Sequence, residues 1–278
     1  MRTAGNSIAV VSQKGGVGKT TLAANLAVSL QQLEFRTLLV EVDPQGSLLR
    51  LFGLDRYDLH HGLFGALTGE ASDGGFIEPN LVEGLDLIPA NVWSHMEEVQ
   101  YLDVFRRDPT ALRSVIAPFR EKYDFIIMDC PPGLGSTTRA ALTAADRYLV
   151  PVQAEAMNLT SLPRLQQLAE TVREAHNPGL ILDGYVVTMA DTRTRHANQV
   201  IRSLKDSFGP AVFRTVIPRS IRVAEESAKG RPTVDGAPYT PAGLAFGALT
   251  EEILTRQAGE RTPEAEEPAE RMVIGIGP

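Results

Sequence analysis

Apolar residues along the chain fall into short continuous runs separated by segments with helical spacing. Six runs predict buried strands, because each is too short for a core helix: 7–12, 36–42, 124–128, 147–152, 180–189 and 212–217. Apolar positions three or four residues apart predict helices between and after them: 20–33, 109–121, 136–145, 159–175, 197–208 and 241–256. This alternation predicts an α/β fold with a twisted, mainly parallel sheet flanked by helices on both faces.

The pattern shows no linker and no internal repeat, so we expect a single domain over residues 1–258. Hydrophobic residues make up 43% of the 278 residues, enough for one large core. Residues 55–89, rich in glycine, aspartate and histidine, predict loops with short helices. Residues 259–278 carry five glutamates and two arginines among prolines and glycines, a composition typical of a disordered acidic tail.

Charge is segregated along the chain in a way that the net value of -7 conceals. Residues 191–231 contain nine lysines and arginines against four acidic residues, a net charge of +5. Such a basic segment can bind a polyanion, although it can equally be a solvated or salt-bridged face. The single cysteine, Cys130, excludes an internal disulfide. With no signal peptide and no apolar run of about 20 residues, we expect a cytoplasmic protein.

The strongest chemical signal is a glycine-rich loop between the first strand and the first helix. The segment 13–21 (QKGGVGKTT) ends in the Gly-Lys-Thr of a phosphate loop. Its glycines allow backbone N–H groups to surround phosphates, and the helix dipole favours negative charge there. Lys19 supplies a charge to the outer phosphates, and the Thr20 hydroxyl is a candidate Mg²⁺ ligand. The candidate nucleotide-binding residues are Lys14, Gly15, Gly16, Val17, Gly18, Lys19, Thr20 and Thr21.

The loop also departs from the strict phosphate-loop pattern. Gln13 stands where that pattern has glycine, and Lys14 follows it. The sequence KGGVGKT resembles the deviant Walker A motif of the ParA and MinD superfamily, and the chain resembles ParA-family partition ATPases. The resemblance implies ATP and Mg²⁺ as ligands and an ATP-dependent homodimer. It also implies that Lys14 reaches the partner's nucleotide and acts in catalysis together with Lys19.

Three further segments extend this resemblance. Residues 41–46 (EVDPQG) resemble switch I, which implies that Asp43 positions the attacking water. Residues 124–135 (DFIIMDCPPGLG) resemble Walker B and switch II, which implies that Asp129 holds Mg²⁺. Thr188 stands where GTP-binding relatives place asparagine, so ATP is favoured. Pro218 lies in an Ile-Pro-Arg segment that packs near the adenine in the family, although such a proline can also simply end a strand.

The basic segment contains arginines at positions where ParA-type ATPases contact DNA without reading its sequence: Arg193, Arg219 and Arg222. The resemblance therefore implies non-specific binding of double-stranded DNA by the ATP dimer and association with the nucleoid. It also implies slow ATP hydrolysis, stimulated by a partner of the ParB or adaptor type. The cargo is left open: a chromosome, a plasmid or a protein complex.

Three other members of this fold group are alternatives. A MinD-like membrane ATPase needs a basic amphipathic helix at the C-terminus, but residues 259–278 are acidic and contain prolines, so we expect no stable membrane association. An iron–sulfur reductase needs more cysteines than Cys130 provides. A metabolic ATP-dependent ligase has no use for the basic segment, and it would hydrolyse ATP only with its own substrate.

Overall fold

A computed structural model describes residues 5–260, apart from 56, 58, 60, 72, 73 and 155–161. Its centre is one eight-stranded sheet with the order β3-β4-β2-β5-β1-β6-β7-β8. All neighbouring strands are parallel except β3 and β4, which form an antiparallel pair at one edge. The strands are β1 (Asn6–Val10), β2 (Thr37–Glu41), β3 (Glu78–Val82), β4 (Leu85–Ile88), β5 (Phe125–Asp129), β6 (Arg147–Gln153), β7 (Ile181–Ala190) and β8 (Val212–Pro218).

Eleven α-helices are found in the described part of the chain. They are α1 (Lys19–Gln32), α2 (Ser47–Leu51), α3 (Leu63–Thr68), α4 (His95–Arg107), α5 (Ala111–Ile116), α6 (Ser136–Ala144), α7 (Leu162–Ala175), α8 (Arg195–Phe208), α9 (Ile221–Ala228), α10 (Thr233–Gly236) and α11 (Pro241–Glu260). Short 3₁₀ turns follow α5 at Ala117–Phe119 and α8 at Gly209–Ala211.

The sheet separates two hydrophobic cores because successive side chains of a strand point to opposite faces. On β1, Ile8 and Val10 join one core while Ala9 belongs to the other. Helices α1 and α11 cover the face of Ile8 and Val10 with apolar residues such as Leu26 and Phe246. Helices α4 to α8 cover the opposite face. The strands inside the sheet are therefore buried on both sides, which explains their continuous apolar sequences.

The predicted fold class is confirmed, and all six predicted strands are present with bounds that shift by one or two residues. The prediction for residues 55–89 was wrong in part. Besides helix α3, this stretch contains the hairpin β3–β4, in which β3 is half exposed, so its sequence lacks an apolar run. The helix predicted at 109–121 is the short α5 followed by a 3₁₀ turn.

The C-terminal helix is longer than predicted. The sequence places its end at residue 256, whereas α11 continues to Glu260 and so includes the first two residues of the predicted tail. The remaining tail residues, 261–278, lie outside the described residues. Among the residues that the structure describes, no helix combines the length and the hydrophobicity needed to cross a bilayer.

Candidate nucleotide-binding site

The glycine-rich loop joins the carboxyl end of β1, near the middle of the sheet, to the first turn of α1. Gly16 and Gly18 have φ angles of +74° and +84°, a region that glycine enters without steric cost. Gly18 precedes α1 and provides no side-chain cap, so the N–H groups of the first turn stay available to an anion. The sequence therefore folds this loop into the shape that phosphate binding requires.

Two neighbouring segments hold the loop in place. The Thr188 hydroxyl, near the end of β7, donates a hydrogen bond of 2.9 Å to the carbonyl oxygen of Val17. On the other side, the Gly133 N–H, in the segment after β5, donates to the carbonyl oxygen of Ser12 at 3.1 Å. Within the loop, the Lys14 N–H donates to the Ser12 hydroxyl at 3.3 Å. The loop is thus fixed by strands on both sides of β1.

Lys19 and Asp129 lie near each other at this loop, since the charge of Asp129 acts on the Lys19 ammonium. The Lys19 ammonium donates to the carbonyl oxygen of Lys14 at 3.3 Å, and its side chain is largely buried. Burial lowers the pKa of Lys19, while the charges of Asp129 and Asp43 oppose that shift. A buried ammonium facing the inside of a phosphate loop is suited to a polyanionic ligand.

Asp129, the last residue of β5, is completely buried, and neither of its carboxylate oxygens has a hydrogen-bond partner of ordinary geometry. Burial raises the pKa of Asp129 to about 8. The Thr20 hydroxyl is close enough to oppose this rise, whereas the charges of Glu41 and Asp43 reinforce it. Such a carboxylate needs a cation, and its oxygens together with the Thr20 hydroxyl are the hard donors that Mg²⁺ prefers. The predicted metal residues, Thr20 and Asp129, therefore lie together and fit this ion.

Asp43 lies two residues beyond the carboxyl end of β2, the strand that pairs with β5. It is mostly buried, and its Oδ1 accepts a hydrogen bond of 3.0 Å from the Gln45 N–H. The Val42 N–H donates to the carbonyl oxygen of Asp129 at 2.8 Å, so the segments that carry the two aspartates are joined directly. The structure thus brings Asp43, Asp129 and Lys19 to the same edge of the sheet.

A cavity of about 340 Å³ opens beside the phosphate loop, between the ends of β7 and β8 and helices α9 and α11. It is mainly apolar, and it is lined by Gly18, Thr21, Leu22, Thr188, Met189, Ile217, Pro218, Arg219, Ser220, Val223, Ala224, Ser227 and Phe246. Its position next to the loop suits the base of a nucleotide whose phosphates lie on α1. Pro218, the predicted adenine contact, lines this cavity.

The three predicted DNA-binding arginines lie on the segments that follow β7 and β8, and all three are exposed. Arg193 forms a two-pronged ion pair with Asp191, with distances of 2.8 and 2.9 Å. This guanidinium holds the pKa of Asp191 below its usual range. Arg222 pairs with Glu225 at 2.8 Å. Arg219 lies close enough to Asp191 to lower the pKa of that carboxyl further. The segment after β7, which carries Arg193, and the segment after β8, which carries Arg219, are therefore neighbours.

Two residues of the site were not predicted from the sequence. From the sequence, Thr188 serves only as an argument against GTP, but its hydroxyl holds the phosphate loop. Glu41 lies in the segment that resembles switch I and has no role assigned from the sequence, yet it is fully buried two residues before Asp43. A glutamate at the end of an otherwise apolar strand was the available signal. Cys130 is buried as expected for a small core residue, and burial raises the pKa of its thiol.

Comparison with known proteins places this site in context. A family model described as an AAA domain matches residues 5–182. The chromosome-partitioning ATPase Soj of Thermus thermophilus is 41% identical over 249 residues, which cover 90% of this chain and 95% of that protein. The sporulation initiation inhibitor protein Soj of Bacillus subtilis is 35% identical over 249 residues, which cover 90% of this chain and 98% of that protein.

Solved structures with similar folds include a cobyrinic acid a,c-diamide synthase from Mycobacterium smegmatis with bound ADP and magnesium. It superposes with a TM-score of 0.78 at 27% identity, covering 95% of this chain and all of that one. The cell division ATPase MinD of Pyrococcus furiosus superposes with a TM-score of 0.73 at 28% identity, covering 91% of this chain and 99% of that one.

Proposed function

This chain belongs to the ParA family, and from that membership we propose that it is an ATPase whose dimerisation and DNA binding depend on bound ATP. The observation that carries the proposal is the arrangement of Lys14, Lys19 and Asp129 around one phosphate loop. Lys19 and Asp129 provide the charges of a phosphate and magnesium site within one subunit. Lys14 adds a second cation beside that site.

ATP and Mg²⁺ are the ligands of this site. The phosphates bind to the loop and to Lys19, the base occupies the cavity lined by Pro218, and Thr20 and Asp129 hold the metal directly or through its water shell. Bound Mg²⁺ supplies positive charge that the phosphates need during hydrolysis. The synthase from Mycobacterium smegmatis, crystallised with ADP and magnesium, supports this assignment.

Asp43 is the residue that we assign to the attacking water. It lies at the end of the strand next to Asp129, and its partly exposed carboxylate leaves one oxygen, Oδ2, without a role in the local turn. A fixed acceptor at this place orients a water molecule for attack, because geometry supplies most of the catalysis in phosphoryl transfer. Loss of Asp43 therefore stops hydrolysis without removing any group that binds ATP.

Lys14 makes the nucleotide site depend on a second copy of the chain. Its charge, placed on the partner's phosphates, stabilises them in a water-poor interface as an arginine finger does. The dimer therefore forms when ATP is bound and opens after hydrolysis. In the dimer the segments that carry Arg193, Arg219 and Arg222 are doubled, which makes non-specific DNA binding conditional on ATP.

This cycle suits segregation of a chromosome or plasmid, or positioning of another cargo, by a cytoplasmic protein that associates with the nucleoid. A stimulating partner of the ParB or adaptor type would reset it. The Soj relatives named for chromosome partitioning support the first role. The similarity to a cobyrinic acid a,c-diamide synthase favours a second candidate, a metabolic ATP-dependent ligase. ATP turnover that requires a small carboxylic acid and ignores DNA would identify it.

The test is to size the purified protein with ADP and with ATP, using three variants. Asp43→Ala should bind ATP and remain dimeric, because hydrolysis is blocked. Lys14→Ala should bind ATP with similar affinity yet stay monomeric, because the charge that joins the subunits is missing. Lys205→Ala is the control: Lys205 is an exposed lysine on α8, far along the sequence from the loop, and its removal should leave the ATP dimer unchanged. An Asp43→Ala protein that is monomeric with saturating Mg²⁺ and ATP would contradict the proposal.

A further inference from the structure

The carboxylate of Glu41 closes the loop that carries Asp43. Glu41 is the last residue of β2 and is 0% exposed. Its Oε1 accepts a hydrogen bond of 2.6 Å from the N–H of Leu48 in the first turn of α2. The side chain thus joins the two ends of an eight-residue segment, 41–48, and Asp43 lies within this segment.

The second oxygen of Glu41 reaches a different part of the fold. Its Oε2 accepts a hydrogen bond of 3.2 Å from the N–H of Ala90, in the segment that follows β4. The carbonyl oxygen of Ala90 in turn accepts from the N–H of Phe64 in α3. The carbonyl oxygen of Val42, the residue directly after β2, accepts a hydrogen bond of 3.0 Å from the Tyr101 hydroxyl in α4. Segment 41–48 is therefore attached at its base to helix α4 and to the segment after β4, which in turn is bonded to α3.

Glutamate is suited to this task because only a carboxylate accepts at both ends. An amide of the same shape has one acceptor oxygen and one N–H₂ donor, so it would place a donor against one of the two backbone N–H groups. The arrangement also has a cost, since burial raises the pKa of Glu41 to about 7 while the hydrogen bonds from Leu48 and Ala90 oppose this. A buried charge beside two other carboxylates, Asp43 and Asp129, is a feature that packing alone does not require.

We propose that Glu41 is a positioning residue for ATP hydrolysis, which holds Asp43 in place by clamping segment 41–48 at Leu48 and Ala90. This inference rests on the proposed function, because it assigns Glu41 a role through Asp43. Both carboxylate oxygens of Glu41 are occupied by backbone N–H groups of the protein, so we expect nucleotide binding not to depend on this side chain. Its loss lets Asp43 move away from the attacking water, and a displacement of about 1 Å lowers the rate of such a step by up to about a hundred-fold.

The experiment compares Glu41→Gln with Glu252→Gln. Glu252, on α11, is a matched control because its carboxylate also accepts hydrogen bonds from two backbone N–H groups, those of Arg214 and Thr215, both at 2.9 Å. It lies near the opposite end of β8 from the nucleotide site. Both variants disturb a carboxylate that accepts from two backbone N–H groups, and Glu252→Gln also loses the ion pair with Arg256 at 2.8 Å. Denaturant unfolding measures the loss of stability in each, so the control bears at least as large a structural change.

For Glu41→Gln we expect a single-turnover hydrolysis rate that falls by about ten-fold to a hundred-fold, with ATP affinity within about three-fold of the parent. Glu252→Gln should hydrolyse ATP at the parental rate for a similar loss of stability. Glu41→Asp, which keeps the charge but is one methylene shorter, should be intermediate, and it serves in place of Glu41→Gln if that protein does not fold.

Equal rates in Glu41→Gln and Glu252→Gln would overturn the inference, and so would a loss of ATP affinity as large as the loss of rate. Failure of the proposed function has a different signature, because the parent protein itself would then bind ATP without hydrolysing it. The two failures are therefore separated by the parental measurement.

Discussion

At the scale of single residues, the nucleotide site concentrates carboxylates that a folded core otherwise excludes. Glu41 and Asp129 are fully buried, and Asp43 is mostly buried. The charge of Asp43 helps to raise the pKa of Glu41 and of Asp129, and the charge of Glu41 raises the pKa of Asp129 further. In the part of the chain that the structure describes, the oxygens of Asp129 accept no hydrogen bond of ordinary geometry, and the Thr20 hydroxyl is the polar group that lies near them. Such an arrangement lowers the stability of the ligand-free protein, and a bound cation removes the repulsion. The same carboxylates therefore reduce folding stability and raise the affinity for a cation.

This exchange can be measured with Asp129→Asn. Removing the charge should leave the ligand-free protein as stable as the parent or more so, since it relieves repulsion with Glu41 and Asp43. The variant should lose about 10-fold to 100-fold in Mg²⁺-dependent ATP affinity, which is about 1.4 to 2.7 kcal/mol. The difference between the thermal shift produced by ATP with Mg²⁺ and that produced by ATP with a chelator measures the Mg²⁺-dependent part of ATP binding.

Asp183→Asn is the control for burial alone. Asp183 is a nearly buried carboxylate whose ion pair with Arg147, at 2.7 Å, lies at the other end of the sheet. Its loss should lower the free energy of unfolding by about 3 kcal/mol while the thermal shift with Mg²⁺ and ATP persists. A parental Mg²⁺-dependent shift in Asp129→Asn would show that this carboxylate does not hold the metal.

At the scale of elements, the sequence predicts those that bury continuous apolar runs and misses those that do not. Strand β5 is wholly buried and was found from its apolar run alone. Strand β3 at the edge of the sheet is half exposed and contains Pro79, so no hydrophobic period marks it. Helix α4 was missed although Ser94 and Glu97 form a capping box before it, a signal that was present in the sequence.

The same distinction applies to the site. The phosphate loop was predictable because its residues are contiguous and its chemistry depends on the backbone that they form. The contacts of Thr188 with Val17 and of Glu41 with Ala90 join residues 171 and 49 positions apart. Only the pairing of β4 with β2 and the position of β7 near the phosphate loop bring these residues together, so no local pattern could reveal the two contacts.

One contact between elements carries a prediction about stability. Gly53, which follows α2, lies against Gly230, which follows α9, and both have positive φ angles. A Cβ added at Gly230 would be 2.5 Å from the Cα of Gly53. We therefore expect Gly230→Ala to lower the free energy of unfolding by about 1 to 3 kcal/mol for the overlap, in addition to about 1 to 2 kcal/mol for the left-handed backbone. Denaturant unfolding measures the total.

Gly69→Ala separates these two contributions. Gly69 also has a positive φ, of +79°, but no described atom lies within 4 Å of a Cβ added there. It should show the backbone cost without the overlap. Equal losses in the two variants would mean that the close approach of α2 and α9 contributes nothing to the stability of this fold.

At the scale of the whole molecule, the structure divides the basic segment 191–231 into separate surfaces. Arg193, Arg219 and Arg222 follow the carboxyl ends of β7 and β8, on the side of the phosphate loop. Arg214 lies near the start of β8, five residues before Arg219, which is roughly 16 Å along an extended strand. Lys205 and Arg214 line one groove at that other end. The net charge of +5 therefore overstates the positive charge that either surface alone could present to a DNA duplex.

This division predicts which arginine matters for DNA. Arg219→Ala should weaken binding of random duplex by the ATP-bound Asp43→Ala protein, because the proposed dimer presents two copies of Arg219 on the side of the phosphate loop. Arg214→Ala, an exposed arginine on the same strand, should leave that binding unchanged. Each phosphate contact contributes about -0.9 to the slope of log affinity against log salt, so losing one from each subunit should make the slope shallower by about 1.8. Titrations at several salt concentrations give the slope for each variant. A shallower slope for Arg214→Ala than for Arg219→Ala would place the DNA at the opposite end of the sheet. DNA binding there would be far from the nucleotide, which contradicts the proposal that ATP controls it.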